Sequence, residues 1–217
     1  MALNAVAITP KTDAGKRTDR LIVLLHGWGA NAQDVAGLIE AISLISIPFK
    51  GLLPDAPFLH PMVPGGRQWY GFPPNYDFRM DYDFGAQADL QESRRLLTDW
   101  MRSLPEKTGI PLEKTIMGGF SQGGAMTLDV GPSLPLAAMM ILSSYSHMPI
   151  TQCITPRSIL VVHGNQDPVV PVAKSVDTKK QLEQQGQVVT YRTFDMQHEV
   201  SVEALKVASQ FCVNITA

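Results

Sequence analysis

The sequence predicts an α/β fold, a mostly parallel central sheet with helices on both faces, and three observations carry that prediction. Strand-like and helix-like segments alternate along the chain instead of clustering by type. The run Leu21-Ile22-Val23-Leu24-Leu25 is apolar at every position, as a strand buried on both faces requires. Residues 119–123, Gly-Phe-Ser-Gln-Gly, spell G-x-S-x-G between a β-prone segment and a helix start.

A chain of 217 residues fits one domain of this class, taken as 1–217. Its apolar fraction of 45% and charged fraction of 18% are enough for a full core and too apolar for disorder. A net charge of −2 excludes the basic surface that nucleic acid needs. The basic cluster between Lys11 and Arg20 is interrupted by Asp13 and Asp19 and reads as a solvated turn. No apolar run approaches the ~20 residues that cross a bilayer, and the first residues lack the basic and long apolar regions of a secretory leader. The reading is a soluble, cytoplasmic protein without stable membrane insertion. Cys153 and Cys212 read as buried free thiols, and no His or Cys pair has metal-ligand spacing. Asn214-Ile215-Thr216 matches a glycosylation sequon and reads as accidental at the chain end.

The elements follow in order. Ala5–Ile8 could add an antiparallel edge strand before the buried strand 21–25. A helix spans about 33–44, with Asn31 as N-cap and Asp34 three residues on in capping-box fashion. Residues 51–54 form a short strand. Residues 55–83 are one long excursion crowded with Pro, Gly and aromatics, a length that marks function in a compact domain. A helix at 88–104 places Leu97, Trp100, Met101 and Leu104 on one core-facing stripe. A strand at 114–117 leads into the Ser121 turn, and a helix runs from there to Gly131-Pro132. Strands at 136–142 and 158–162 follow, then a helix at 172–185 stopped by Gly186. The last strand is 188–194, and the last helix, 200–212, carries Val202, Leu205, Ser209 and Cys212 on one face.

Ser121 sits on a sharp strand-to-helix turn whose glycines lack the Cβ atoms that would clash. A serine hydroxyl is a poor nucleophile until a base takes its proton, and a carboxylate best holds that base in the right tautomer. In this architecture the acid and then the histidine lie on loops after later strands. Asp167 follows the strand at 158–162, and His198 follows the last strand. Of the other histidines after Ser121, His163 precedes the acid and reads as a strand-end hydrogen bonder, and His147 as a polar loop residue. Asp195 is the runner-up acid, three residues before His198. Asp129, inside the helix after the serine, reads as solvated or capping. The backbone N–H of Gln122, next to the nucleophile, and that of Trp28, flanked by Gly27 and Gly29, are the candidate oxyanion donors. Phe58, Met62, Trp69, Tyr70 and Phe72 would line an apolar groove on the excursion.

His-Gly-Trp-Gly at 26–29, Gly-Phe-Ser-Gln-Gly-Gly at 119–124, His-Gly-Asn-Gln-Asp-Pro-Val-Val-Pro at 163–171 and His198 resemble the phospholipase/carboxylesterase family of α/β-hydrolases. That family includes the acyl-protein thioesterases and small bacterial carboxylesterases. The resemblance implies the α/β-hydrolase fold, with Ser121 as nucleophile, Asp167 as acid, His198 as base, and Trp28 and Gln122 as oxyanion donors. It implies a serine carboxylesterase that cleaves small to medium acyl esters, lysophospholipids or thioesters through an acyl-enzyme. No cofactor or metal is implied, and the enzyme would be a monomer or a homodimer. Trp69 and Tyr70 match the family's substrate-facing aromatics, whereas the tail from Phe72 to Phe78 and the Trp at 28 are this chain's own. An acyl-protein thioesterase and a hydrolase-fold binding protein without catalysis are the alternatives. A peptidase lacks here the added domain that large peptides need, and a dienelactone-type hydrolase would carry cysteine at 121.

Overall fold

In a computed structural model the described residues are 3–9, 18–45, 49–80 and 82–216. They form a seven-stranded sheet built from β1 (Ala5–Ile8), β2 (Leu21–Leu25), β3 (Lys50–Pro54), β6 (Thr115–Phe120), β7 (Ala138–Leu142), β8 (Ser158–Gly164) and β9 (Val188–Phe194). The order across the sheet is β1-β3-β2-β6-β7-β8-β9. β1 pairs antiparallel to β3, and every other neighbouring pair is parallel. Phe58–Leu59 (β4) and Arg67–Gln68 (β5) form a separate two-residue hairpin inside the 55–83 excursion.

The all-apolar β2 shows why the sheet is covered on both sides. Leu21, Val23 and Leu25 face one core, shared with Leu97, Trp100 and Met101 of helix α2 (Ala88–Thr108) and Met126 of helix α3 (Gln122–Val130). Ile22 and Leu24 face the other, shared with Ile39 and Ile42 of helix α1 (Ala36–Ile45) and Ala204, Ala208 and Phe211 of helix α5 (Val202–Thr216). The period of two is present, but both phases are buried. Helix α4 (Val172–Gln184) adds Leu182 to the first core. Both cysteines are free and buried.

Several boundaries and one helix face differ from the sequence reading. The Asn31 cap exists: its Oδ1 accepts from Gln33 N at 2.9 Å while Asp34 Oδ2 accepts from Asn31 N at 2.9 Å. That reciprocal box closes a turn, and α1 begins only at Ala36. α2 continues through Pro105 to Thr108, because the proline forfeits one donor near the helix end while its carbonyl still accepts from Gly109 N at 2.9 Å. β7 starts at Ala138, after Leu136 N has turned back to the Leu134 carbonyl at 2.9 Å. α5 presents Ala204, Ala208, Ser209, Phe211 and Cys212 inward, and Val202 is 62% exposed. Residues 10–17, most of the basic cluster, lie outside the described residues; beyond them, Asp19 pairs with Lys114 at 2.6 Å. Among the described residues no helix is long and apolar enough to cross a membrane.

Candidate active site

The sheet delivers its functional loops at the C-terminal ends of the parallel strands. Ser121 lies between the last residue of β6 and the first of α3, with φ 52° and ψ −120°, a region that non-glycine residues rarely occupy. Surrounding bonds hold it there. Ser121 N donates to the Leu142 carbonyl at 2.9 Å, and Ser121 O accepts from Gly124 N at 2.9 Å and Ser144 Oγ at 2.6 Å. The glycines answer to space: a Cβ on Gly123 would come within 2.3 Å of the Leu25 carbonyl oxygen, and one on Gly119 within 2.2 Å of Gly123 C. Only without those atoms can β6, β2 and α3 meet under the serine.

The structure brings Ser121, His198 and Asp167 into one hydrogen-bonded chain. His198 Nε2 is 3.0 Å from Ser121 Oγ, and His198 Nδ1 is 2.7 Å from Asp167 Oδ2. The Asp167 side chain is fully buried, and its other oxygen accepts from Val169 N at 2.9 Å and Val170 N at 2.8 Å. An ionised carboxylate only accepts, so Nδ1 of His198 carries the proton and its Nε2 lone pair faces the serine. His163 stands behind, with Nε2 at 2.8 Å from the Val170 carbonyl and 3.4 Å from Asp167 Oδ2. Burial holds its pKa below the ordinary imidazole value, the Val170 and Asp167 contacts notwithstanding, so it is a neutral support. The runner-up Asp195 is exposed and turned away, its Oδ1 accepting from Gln166 Nε2 at 2.5 Å.

The loop after β2 lies against Ser121: a Cβ on Gly27 would sit 3.3 Å from Ser121 Cβ. Among the described residues, no acceptor takes the Trp28 backbone N–H. Gln122 opens α3, so its N–H has no partner within the helix. Gln122 thus follows Ser121 directly, and Trp28 follows the glycine that lies against it. The Trp28 side chain is 41% exposed, with its indole N–H on Gln68 Oε1 at 2.9 Å and its ring edge-on to Phe72 at 5.5 Å.

The excursion corrects the sequence reading. Trp69 and Tyr70 are fully buried and line no open groove. Gln122 clamps them, its Oε1 accepting from Trp69 N at 2.9 Å and its Nε2 donating to the Tyr70 carbonyl at 2.8 Å. The Trp69 indole donates to the His26 carbonyl at 3.0 Å, and Ser93 Oγ bonds the Trp69 carbonyl. Polar handles on large rings explain the burial: each ring has a partner for its N–H or O–H inside the fold. Phe58 belongs to the hairpin, and Met62, at its tip, is 77% exposed. Phe72 packs with Phe78 against a small cluster of Ala125, Tyr145 and Val170. Past Phe78 and Tyr145 opens a cavity of about 360 Å³, walled by Tyr76, Tyr82 and Phe84 against α4.

His147 and Asp129 also differ from expectation. Asp129 is not solvated: it accepts from Arg94 Nε at 2.8 Å and lies 3.4 Å from His147 Nε2. His147 Nδ1 in turn meets Tyr70 OH at 3.1 Å, and Tyr70 OH meets Tyr145 OH at 2.6 Å. Burial alone would raise the Asp129 pKa, but hydrogen bonds and charge from His147 and Arg94 outweigh it and hold the group below its ordinary 3.8. A depressed carboxylate contributes stability that is complete above the unfolded value and lost as pH falls through the folded one. Asp129→Asn is therefore expected to flatten the fall of the melting temperature below about pH 4; an unchanged slope in melting curves would count against this assignment.

Ser143, Ser144 and His26 were absent from the sequence reading as parts of the site. Ser144 supports the turn as above, and Ser143, at φ 45°, bonds the Glu199 carbonyl at 3.0 Å, holding the loop that carries His198. A Ser-Ser pair directly after a buried strand was the only local sign. Among the described residues no cluster of three His, Cys, Asp or Glu could hold a metal ion.

The family model described as Phospholipase/Carboxylesterase matches residues 7–215 of this chain. An acyl-protein thioesterase 1 from Neurospora crassa is 28% identical over 211 residues, covering 88% of this chain and 84% of that protein. The esterase YpfH of Escherichia coli is 26% identical, covering 89% of this chain and 82% of its own length. Among solved structures, esterase PE8 superposes with a TM-score of 0.88 at 25% identity, covering 99% of this chain and all of that one.

Proposed function

The chain belongs to the phospholipase/carboxylesterase family, and on that premise we propose that it hydrolyses small to medium acyl esters through an acyl-enzyme on Ser121. The observation that carries the reading is the continuous chain of 3.0 Å and 2.7 Å contacts from Ser121 Oγ through His198 to a buried, doubly amide-bound Asp167. His198 takes the hydroxyl proton as Oγ attacks the ester carbonyl, and Asp167 stabilises the imidazolium that forms. The N–H groups of Trp28 and Gln122 hold the negative oxygen. His198 then returns the proton to the departing alkoxide, and water repeats the sequence to release the acid. Phe72, Phe78 and Tyr145, packed with Ala125, whose N–H bonds the Ser121 carbonyl, and Val170, whose N–H bonds Asp167, offer the apolar wall for the acyl group. Trp69 and Tyr70 support that wall from behind.

A thioesterase is the second reading, supported by the named activity of the Neurospora crassa relative. The same residues serve, with a thiolate leaving instead of an alkoxide.

The test is a serine-directed fluorophosphonate, combined with rates on p-nitrophenyl esters from acetyl to palmitoyl. One label per chain on Ser121, with ester turnover lost in proportion, is the expected result. Turnover of acyl thioesters with none of oxygen esters would select the second reading. A folded protein that neither labels nor turns over any of these substrates would be a binding protein.

A further inference from the structure

Of the two candidate oxyanion donors, one lies between two glycines, whose backbone is held only by what bonds to it, and a donor that wanders is worth little in a transition state. Three hydrogen bonds around that loop are made by His26, the buried residue that follows β2, and a fourth reaches the Gly27 carbonyl from Ala30. His26 Nδ1 lies 2.8 Å from the Gly27 carbonyl oxygen. Its Nε2 accepts from Ala56 N at 3.0 Å. Its own carbonyl accepts the Trp69 indole N–H at 3.0 Å, and Ala30 N adds a second donor to the Gly27 oxygen at 3.3 Å.

The Gly27 carbonyl and the Trp28 N–H belong to one peptide unit. In a trans peptide the two groups point in opposite directions across a rigid plane, so whatever fixes the carbonyl aims the N–H. We propose that His26 is a positioning residue for ester hydrolysis: by donating Nδ1–H to the Gly27 carbonyl, it orients the peptide whose N–H, at Trp28, receives the oxyanion. The inference rests on the reading of Ser121 as nucleophile given above.

The tautomer this requires is dictated by the surroundings. A ring nitrogen that accepts from Ala56 N–H cannot carry a proton, so in the neutral imidazole the proton is on Nδ1, facing the Gly27 oxygen. Burial, the largest influence on this group, pushes its pKa below the ordinary imidazole value and keeps the ring neutral. A protonated ring would set two N–H groups face to face at Ala56. Position matters as well: His26 is fully buried, so it touches no substrate and acts only through the peptide.

Two substitutions separate this role from simple packing. An asparagine amide reaches about as far as Nδ1, and a glutamine amide about as far as Nε2. His26→Asn retains the donor to Gly27 and loses the Ala56 contact; His26→Gln retains the Ala56 contact and loses the donor. Since loss of one oxyanion donor costs about 10²–10³ in kcat, mis-aiming it in His26→Gln is expected to lower kcat by roughly tenfold or more. KM should stay within about twofold, and the affinity for a trifluoromethyl ketone, whose adduct carries the oxyanion, should fall in step with kcat. His26→Asn should keep kcat within about threefold.

Equal losses in the two variants, or a His26→Gln enzyme with unchanged kcat, would overturn the proposal. The wild-type protein supplies a check that no folding defect can spoil: ¹⁵N shifts of the His26 ring should show protonated Nδ1 and bare Nε2, and the opposite tautomer would overturn it too. Failure of the underlying reading looks different, since the wild-type enzyme itself would then show no label at Ser121.

Discussion

Ser121→Ala is expected to lower kcat for p-nitrophenyl esters by about 10⁶ while leaving the protein folded. In the proposed reaction the hydroxyl supplies the attacking oxygen, and its one hydrogen bond among the described residues goes to His198. Nothing in the core depends on Oγ. The backbone of the turn is held by Ser121 N and Ser121 O, which alanine keeps. The melting temperature should therefore move by no more than a degree or so, since surface-directed hydroxyls contribute within about 0.5 kcal/mol. Catalysis over water of about 10³ should survive, supplied by the Trp28 and Gln122 N–H groups and by binding. Stopped turnover in a folded variant is the expected record. A variant within tenfold of wild type would mean that another nucleophile carries the reaction.

The second large effect concerns Asp167. Asp167→Asn should lower kcat by about 10⁴ with KM nearly unchanged, through the wrong tautomer at His198. The amide oxygen can still accept from Val169 and Val170, whose N–H groups are 2.9 Å and 2.8 Å from Oδ1. That leaves the –NH₂ facing Nδ1, so Nδ1 must become the acceptor and Nε2 the protonated nitrogen. A protonated Nε2 cannot take a proton from Ser121 Oγ, 3.0 Å away. Asp195→Asn makes the control: Asp195 bonds Gln166 instead of His198, and its loss should change kcat by less than about twofold. If Asp195→Asn proved the more damaging of the two, the roles assigned to the acids would be exchanged.

Which parts of this were legible in the chain depends on how local their causes are. The G-x-S-x-G turn is local in part: Gly119 answers to the backbone of Gly123 and Gly124 within the motif, whereas Gly123 answers to Leu25 and His26, near in space and distant in sequence. Chain order was enough to single out Asp167 and His198, because parallel strands deliver successive loops to the same edge of a sheet. The buried strands announced themselves by unbroken apolar runs, and Gly186, at φ 75°, marks the end of α4 where glycine is the easy residue. The inward face of α5 lies a shift around the helix axis from the stripe of Val202, Leu205, Ser209 and Cys212, since a mixed apolar sequence offers several stripes and only the packing partner selects one.

Composition and local pattern were thus sufficient for the mostly parallel sheet, its crossover helices and the sharp turn at the serine. Tertiary structure alone decided which aromatics of the excursion face the site. Trp69 and Tyr70 go inside because Gln122, 53 and 52 positions away, and His26, 43 positions away, meet their polar atoms there. Half-buried Asp129 and buried His147 follow the same logic, each held by a partner distant in sequence, Arg94 and Tyr70. A periodic pattern records how apolar a residue is, whereas the burial of a polar group depends on a partner that only folding supplies.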